Sequence, residues 1–233
     1  MKSIVNAVIP ASTALAVVMG TLMASQVYAG DMPRRTIIAV DTSGSSTFTV
    51  DQPSAEAAAT HVERYVTALD HPHEVRMISV GEIGRSNRTI DIRATVTNHR
   101  ATSAKRLAME FGSYFRALPT MNIKEGATTS LVQFFQSLGS VCTRAPTKVI
   151  VFTDGLEWSS IVDGRAFANG AVSLPKPNGL FLAGCSVEMN GVGEVRGSSN
   201  SDGLEQRLIP QWKSFLDAAG ADQVVVTGSF FDF

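Results

Sequence analysis

The sequence is poor in several features. It has two cysteines in 233 residues, and no Cys-x-x-Cys pair or nearby histidine joins them. That excludes a zinc-ribbon or other soft-metal scaffold. Lysine and arginine never form a run, and 20 basic against 21 acidic residues leave a formal net charge of −1. Nothing points to nucleic acid as a partner. No internal repeat or low-complexity tract is present. Beyond residue 29 no apolar run is long enough to cross a membrane. A Gly-x-Ser-x-Gly nucleophile elbow is also missing, since Gly184-Cys185-Ser186-Val187-Glu188 fails at the final glycine. The composition is otherwise that of an ordinary globular chain, with 44% hydrophobic and 18% charged residues.

Residues 1–29 read as an export signal. Lys2 supplies the positive start, Ile4 opens an apolar run ending at Met23, and Val27-Tyr28-Ala29 precedes an expected cut before Gly30. The rival reading is an uncleaved anchor, because the run is close to the length of a membrane span. No cysteine follows it to carry a lipid. Export predicts a periplasmic or secreted protein, and there Cys142 and Cys185 are expected to form a disulfide. Two buried free thiols are the alternative. Residues 30–233 then have the length of one domain.

The informative stretch is Ile37-Ile38-Ala39-Val40-Asp41-Thr42-Ser43-Gly44-Ser45-Ser46. Four apolar residues in a row, closed by polar ones, suit a central parallel strand buried on both faces. Asp41 then stands at the carboxyl end of that strand, where open α/β sheets bind ligands. Ser43 and Ser45 follow in a tight turn. One carboxylate with two hydroxyls is a hard-oxygen set, suited to Mg²⁺ or Mn²⁺. The bland alternative is a turn whose Asp and Ser side chains bond their own backbone.

Lys148-Val149-Ile150-Val151-Phe152-Thr153-Asp154-Gly155 repeats the design: a buried run ending on an aspartate. Two such strands side by side would aim Asp41 and Asp154 at one spot. Without a cation the two carboxylates repel and a pKa rises; a divalent cation removes that cost. As a lone dipeptide, Asp154-Gly155 reads only as a turn.

Between and after these strands, helices are expected over residues 54–69, 103–118, 130–138 and 204–219, from apolar stripes at spacings of three and four. Pro210 predicts a kink or a late start in the last. Strands are expected at 74–81, 89–97, 181–187 and 223–227. The strand at 89–97 alternates strictly and follows a short turn, so it is expected antiparallel, at the sheet edge. Residues 189–203 read as a mobile Gly/Ser/Asn loop leaving the edge that carries the aspartates. His61 reads as a core or boundary residue. Thr128, Thr129 and Ser130 are in position to cap a helix. Strand–helix alternation broken by one hairpin argues for a single open α/β sandwich.

Asp41-Thr42-Ser43-Gly44-Ser45, then Gly126-Ala127-Thr128, then Thr153-Asp154-Gly155 stand in the order of the metal-ion-dependent adhesion site of the von Willebrand factor A family, which this chain resembles over residues 34–227. The resemblance implies an open, mostly parallel sheet with one antiparallel edge strand, flanked by helices. It implies that Ser43, Ser45 and Thr128 hold a cation (Mg²⁺ or Mn²⁺) through hydroxyls, with Asp41 and Asp154 acting directly or through water. Thr128 is preferred to Thr129 because the family's threonine lies two residues after the glycine. It further implies a non-catalytic binding domain in which a partner's Glu or Asp completes the octahedron. The chain departs from the family in lacking a clear long helix between residues 154 and 181, and in its Gly-rich 189–203 loop. Two other readings compete: a Mg²⁺-dependent phosphoesterase with Asp41 or Ser43 as nucleophile and Lys124 as phosphate clamp, and a structural domain with a vestigial site.

Overall fold

The computed structural model describes residues 34–81, 90–121, 123, 128–197 and 203–228. The expected export signal, the turn at 82–88, Lys124, Gly126, Ala127 and the apolar tail at 230–233 lie outside the described residues.

Six strands form one sheet: β1 (Arg35–Asp41), β2 (His73–Val80), β3 (Asp91–Val96), β4 (Thr147–Phe152), β5 (Cys185–Asn190) and β6 (Gln223–Thr227). Their order is β3-β2-β1-β4-β5-β6. All pairings are parallel except β2–β3. The helices are α1 (Gln52–Thr67), α2 (Ala104–Ala117), α3 (Leu131–Ser137), α4 (Gly139–Cys142), α5 (Gly164–Ala168) and α6 (Leu204–Ala218). This is the open α/β architecture expected, with β3 as its antiparallel edge.

β1 is the axis of the fold, and its side chains alternate between two cores. Ile38 and Val40 join Met77, Ile150 and Phe152 beneath α1 and α2. Ile37 and Ala39 join Val149, Val151 and the buried faces of α3 and α6 on the other side. Both cores are close to fully buried, so a one-residue slip of β1 would exchange their contents; burial therefore fixes the register. The strand order reverses between β1 and β4. That is the topological switch point, where the carboxyl ends of the strands open a crevice.

Three expectations are corrected. The fifth strand begins at Cys185 and reaches Asn190. The apolar residues before it serve packing, with Leu182 fully buried and its N–H bonded to the Ala219 carbonyl. Gly184, at φ 88°, turns the chain where a Cβ would press on the Cys142 carbonyl. The start of the supposed loop, Met189 and Asn190, is thus strand. Residues 191–196 are also fixed, and are described with the site. Finally, the late start allowed for Pro210 is not seen: α6 begins at Leu204, as the apolar stripe predicts, and runs through Pro210; Gln206, whose carbonyl loses its helical partner, is exposed to water.

Cys142 and Cys185 are joined in a disulfide, with Cα atoms 5.1 Å apart, tying α4 to the start of β5. Among the described residues no helix is long and apolar enough to cross a membrane.

Beneath β4 and β5 a half-buried ionic group ties sheet to helix. Glu188 of β5 lies 2.8 Å from Lys148 Nζ of β4 and 2.8 Å from His61 Nε2 of α1. Burial opposes the charge of Glu188, but the His61 contact and the Lys148 ammonium outweigh it and hold its pKa down at about 2, from 4.5. A carboxylate depressed in this way stabilises the fold above its unfolded pKa. That contribution is lost as pH falls from 4.5 towards 2, and is worth at most about 3 kcal/mol. Chemical denaturation from pH 6 to pH 2 should therefore show a steeper acid loss in the wild type than in Glu188→Gln, which starts less stable.

Candidate metal centre

The site forms because β1 and β4 are in register. Val40 pairs with Phe152, so the next step along each strand sets Asp41 beside Thr153. The Thr153 hydroxyl donates to Asp41 Oδ2 at 2.7 Å, and the Ser43 N–H donates to Asp41 Oδ1 at 2.8 Å. Asp154 repeats the second contact on its own loop, its Oδ1 accepting from the Leu156 N–H at 2.8 Å. Each strand-end aspartate therefore shapes its turn with one oxygen, in the manner of an Asx-turn. The second oxygens differ. Asp41 Oδ2 is satisfied by Thr153, whereas Asp154 Oδ2 is buried and has no hydrogen-bond partner among the described residues.

Ser43 and Ser45 face the same space, with hydroxyls 3.2 Å apart. Ser45 also interacts with the Asp154 carboxylate. The threonine beside Asp41 is Thr129, which is buried and whose hydroxyl helps to hold the Asp41 pKa down against burial. Thr128, preferred from the motif spacing, is half-buried, and the described hydrogen bonds do not bring it to either aspartate. Sequence reasoning thus gathered four of the clustered side chains, Asp41, Ser43, Ser45 and Asp154, and missed Thr129 and Thr153. The Thr153 role could have been read from the strand register. Thr129 depends on how the loop enters α3, which spacing does not encode.

Both aspartates are fully buried. Burial raises the pKa of Asp41 against the pull of Ser43, Thr153 and Thr129. Burial, and then the charge of Asp41, raise that of Asp154. Among the described residues no three His, Cys, Asp or Glu side chains converge to hold a metal. Glu157, buried nearby, instead accepts from the Val132 N–H at 3.0 Å, capping α3 from across the loop. The arrangement on offer is two repelling carboxylates among neutral hydroxyls, with Asp154 Oδ2 and, nearby, Glu157 Oε1 left without partners among the described residues. A hard divalent cation fits that donor set.

The surrounding loops are fixed by backbone bonds. Thr129 and Trp158 exchange N–H···O bonds of 3.0 and 2.9 Å. The chain leaving β5 returns to the site: the Gly193 N–H donates to the Asp154 carbonyl at 2.8 Å, the Arg196 N–H donates to the Ser45 carbonyl at 2.9 Å, and Val195 bridges Ser46. Gly155 adopts φ 75°, and a Cβ there would meet Val192 at 2.8 Å. Its carbonyl accepts from the buried Trp212 indole at 2.7 Å.

No protein-family profile matches the chain, and no curated protein matches it. Among solved structures, the conserved hypothetical protein BatB from Bacteroides thetaiotaomicron is similar at 18% identity and TM-score 0.42, over 84% of this chain and 90% of that one. Manganese-loaded TRAP protein from Plasmodium vivax is similar at 16% identity and TM-score 0.41, over 75% of this chain and 64% of that one. The pilus adhesin SpaC from Lactobacillus rhamnosus GG gives 12% identity and TM-score 0.44, over 87% of this chain but 29% of that one. These are distant likenesses of fold. The sheet itself, with its order, antiparallel edge and switch-point loops, is the open, mostly parallel arrangement that the sequence resemblance implies.

Removing one of two repelling buried charges should stabilise the protein when no cation is supplied. In EDTA near pH 8, Asp154→Asn is expected to melt about 3 °C above the wild type, the equivalent of ~1 kcal/mol in a chain of this size. Differential scanning calorimetry checks this; an unchanged or lower Tm would show that the repulsion is already relieved.

Proposed function

We propose that this protein is an exported, non-catalytic binding domain that uses a divalent cation, Mg²⁺ or Mn²⁺, to engage an acidic residue of a protein partner. The observation that carries the reading is the buried Oδ2 of Asp154, without a partner among the described residues, close enough to a second buried aspartate to feel its charge, with the Ser43 and Ser45 hydroxyls beside them at the sheet's switch point. Asp41, Asp154, Ser43, Ser45 and Thr129 would hold the cation. Bound there, it would neutralise the two carboxylates and leave room for an outside carboxylate. The protein's own contribution is to exclude water and orient the hydroxyls and carboxylates; the charge of a bound cation would favour the ionised form of both aspartates, which burial opposes. The Cys142–Cys185 disulfide supports export, because such bonds persist in oxidising compartments.

Thermal unfolding tests the reading. The wild type should melt higher in millimolar Mg²⁺ or Mn²⁺ than in EDTA, since a ligand that binds only the native state must stabilise it. A hundredfold excess over Kd corresponds to about 2.7 kcal/mol. Asp41→Ala should lose the difference. An equal melt for the wild type in metal and EDTA would overturn the cation site. Phosphatase turnover that Asp41→Ala abolishes would instead make the protein an enzyme.

A further inference from the structure

Most of the large apolar side chains are buried, but one loop beside the site keeps two of them in water. Trp158 is 44% exposed and Ile161 53%. Both follow closely on Asp154.

Trp158 is not loosely held. Its backbone makes both hydrogen bonds of an isolated antiparallel bridge with Thr129. Directly opposed residues of such a bridge project their side chains to the same side, with Cβ atoms roughly 5 Å apart. The indole therefore springs from beside the threonine whose hydroxyl reaches Asp41. Its seat is Gly164, the first residue of α5. A Cβ on Gly164 would lie 2.8 Å from ring atoms Cδ2 and Cε3. The ring thus rests against bare backbone on one side, while the residue keeps 44% of its surface in solvent. Water-exposed aromatics gain little from such fixation, whereas a pre-positioned tryptophan at the centre of an interface is a strong anchor.

We infer that Trp158 is the aromatic anchor for the partner, and that the partner's acidic residue is flanked by an aromatic side chain that stacks on the indole. This rests on the cation-dependent binding proposed above and specifies its ligand. The two features are continuous: Thr129 belongs to the cation site on its side-chain end and to the Trp158 bridge on its backbone. The residues flanking a carboxylate seated at the cation would then meet the indole, and Ile161 is exposed on the same loop.

The test uses the protein as the cell processes it, as wild type, Trp158→Ala, Trp158→Phe and Gly164→Ala. Two labelled, acetylated heptapeptides serve as probes, each with one central glutamate flanked on both sides by phenylalanine or by serine. Anisotropy is measured in Mn²⁺ and in EDTA, with melting curves in parallel. The wild type in Mn²⁺ should bind the phenylalanine peptide about tenfold more tightly than the serine peptide. Trp158→Ala should lose that preference, and Trp158→Phe should recover part of it. Gly164→Ala, which keeps the tryptophan but unseats its ring, should weaken the preference too. All four proteins should keep the Mn²⁺-dependent rise in Tm. A wild type that shows the rise but binds both peptides equally, or neither, overturns the anchor and leaves the cation reading standing. A wild type without the rise overturns the cation reading, and an aromatic preference that persists in EDTA would then carry the anchor alone.

Discussion

The repulsion between Asp41 and Asp154 is the constraint around which this structure is organised. Two parallel strands in register, each ending on an aspartate, bring two carboxylates into a space that water does not reach. Burial alone would be costly for either. Together each makes the other worse, and among the described residues no basic side chain offsets either charge. Such an arrangement persists in a folded chain only if something offsets it. The neighbouring hydroxyls and backbone N–H groups offset part of it for Asp41. Asp154 keeps one oxygen without a donor. A site that is least content when empty has its binding energy built in, because filling it relieves a strain the fold already carries.

The contrast with the ionic group under β4 and β5 makes the point. Glu188 is also largely buried, yet it is met by Lys148 and His61, and its pKa falls. The same sheet thus treats two sets of buried carboxylates in opposite ways. Where the acid is structural, the chain supplies its own cationic partner. At the carboxyl ends of β1 and β4 it supplies hydroxyls instead. That difference in company, more than the burial, separates the candidate site from the scaffold.

Much of this could be read from the sequence because it depends on local pattern. The four-residue run before Asp41 and its repeat before Asp154 predicted central strands, and strict alternation at 89–97 predicted the antiparallel edge. Where reading failed, long-range contacts decided. Phe181 and Leu182 resemble a strand but fill a gap under α6, and Gly184 turns the chain before pairing begins. Residues 191–196 have the composition of a free loop, yet their N–H groups bond to the Asp154 and Ser45 carbonyls. Thr128 and Thr129 are indistinguishable by residue type, and only the bridge to Trp158 determines which hydroxyl turns inward. Pro210 reads as a helix breaker, but an exposed preceding turn lets water take up the carbonyl it leaves free.

The loops at the site come from distant parts of the chain, and each is held by a different neighbour. The Ser45 turn is held by the Arg196 N–H and Val195, the Asp154 turn by Gly193 and the Trp212 indole, and the Thr129 turn by Trp158. All of these restraints run through backbone or a buried indole, and none uses a carboxylate oxygen of the two aspartates. These restraints leave Asp154 Oδ2 and the Ser43 and Ser45 hydroxyls to a ligand. Binding to such a site costs little ordering, because the loops are already in place. A rigid frame also explains why the exposed tryptophan matters. Its ring is fixed by the same bridge that aims the Thr129 hydroxyl, so an incoming segment meets the hydroxyl ring and the apolar rim as one preset surface.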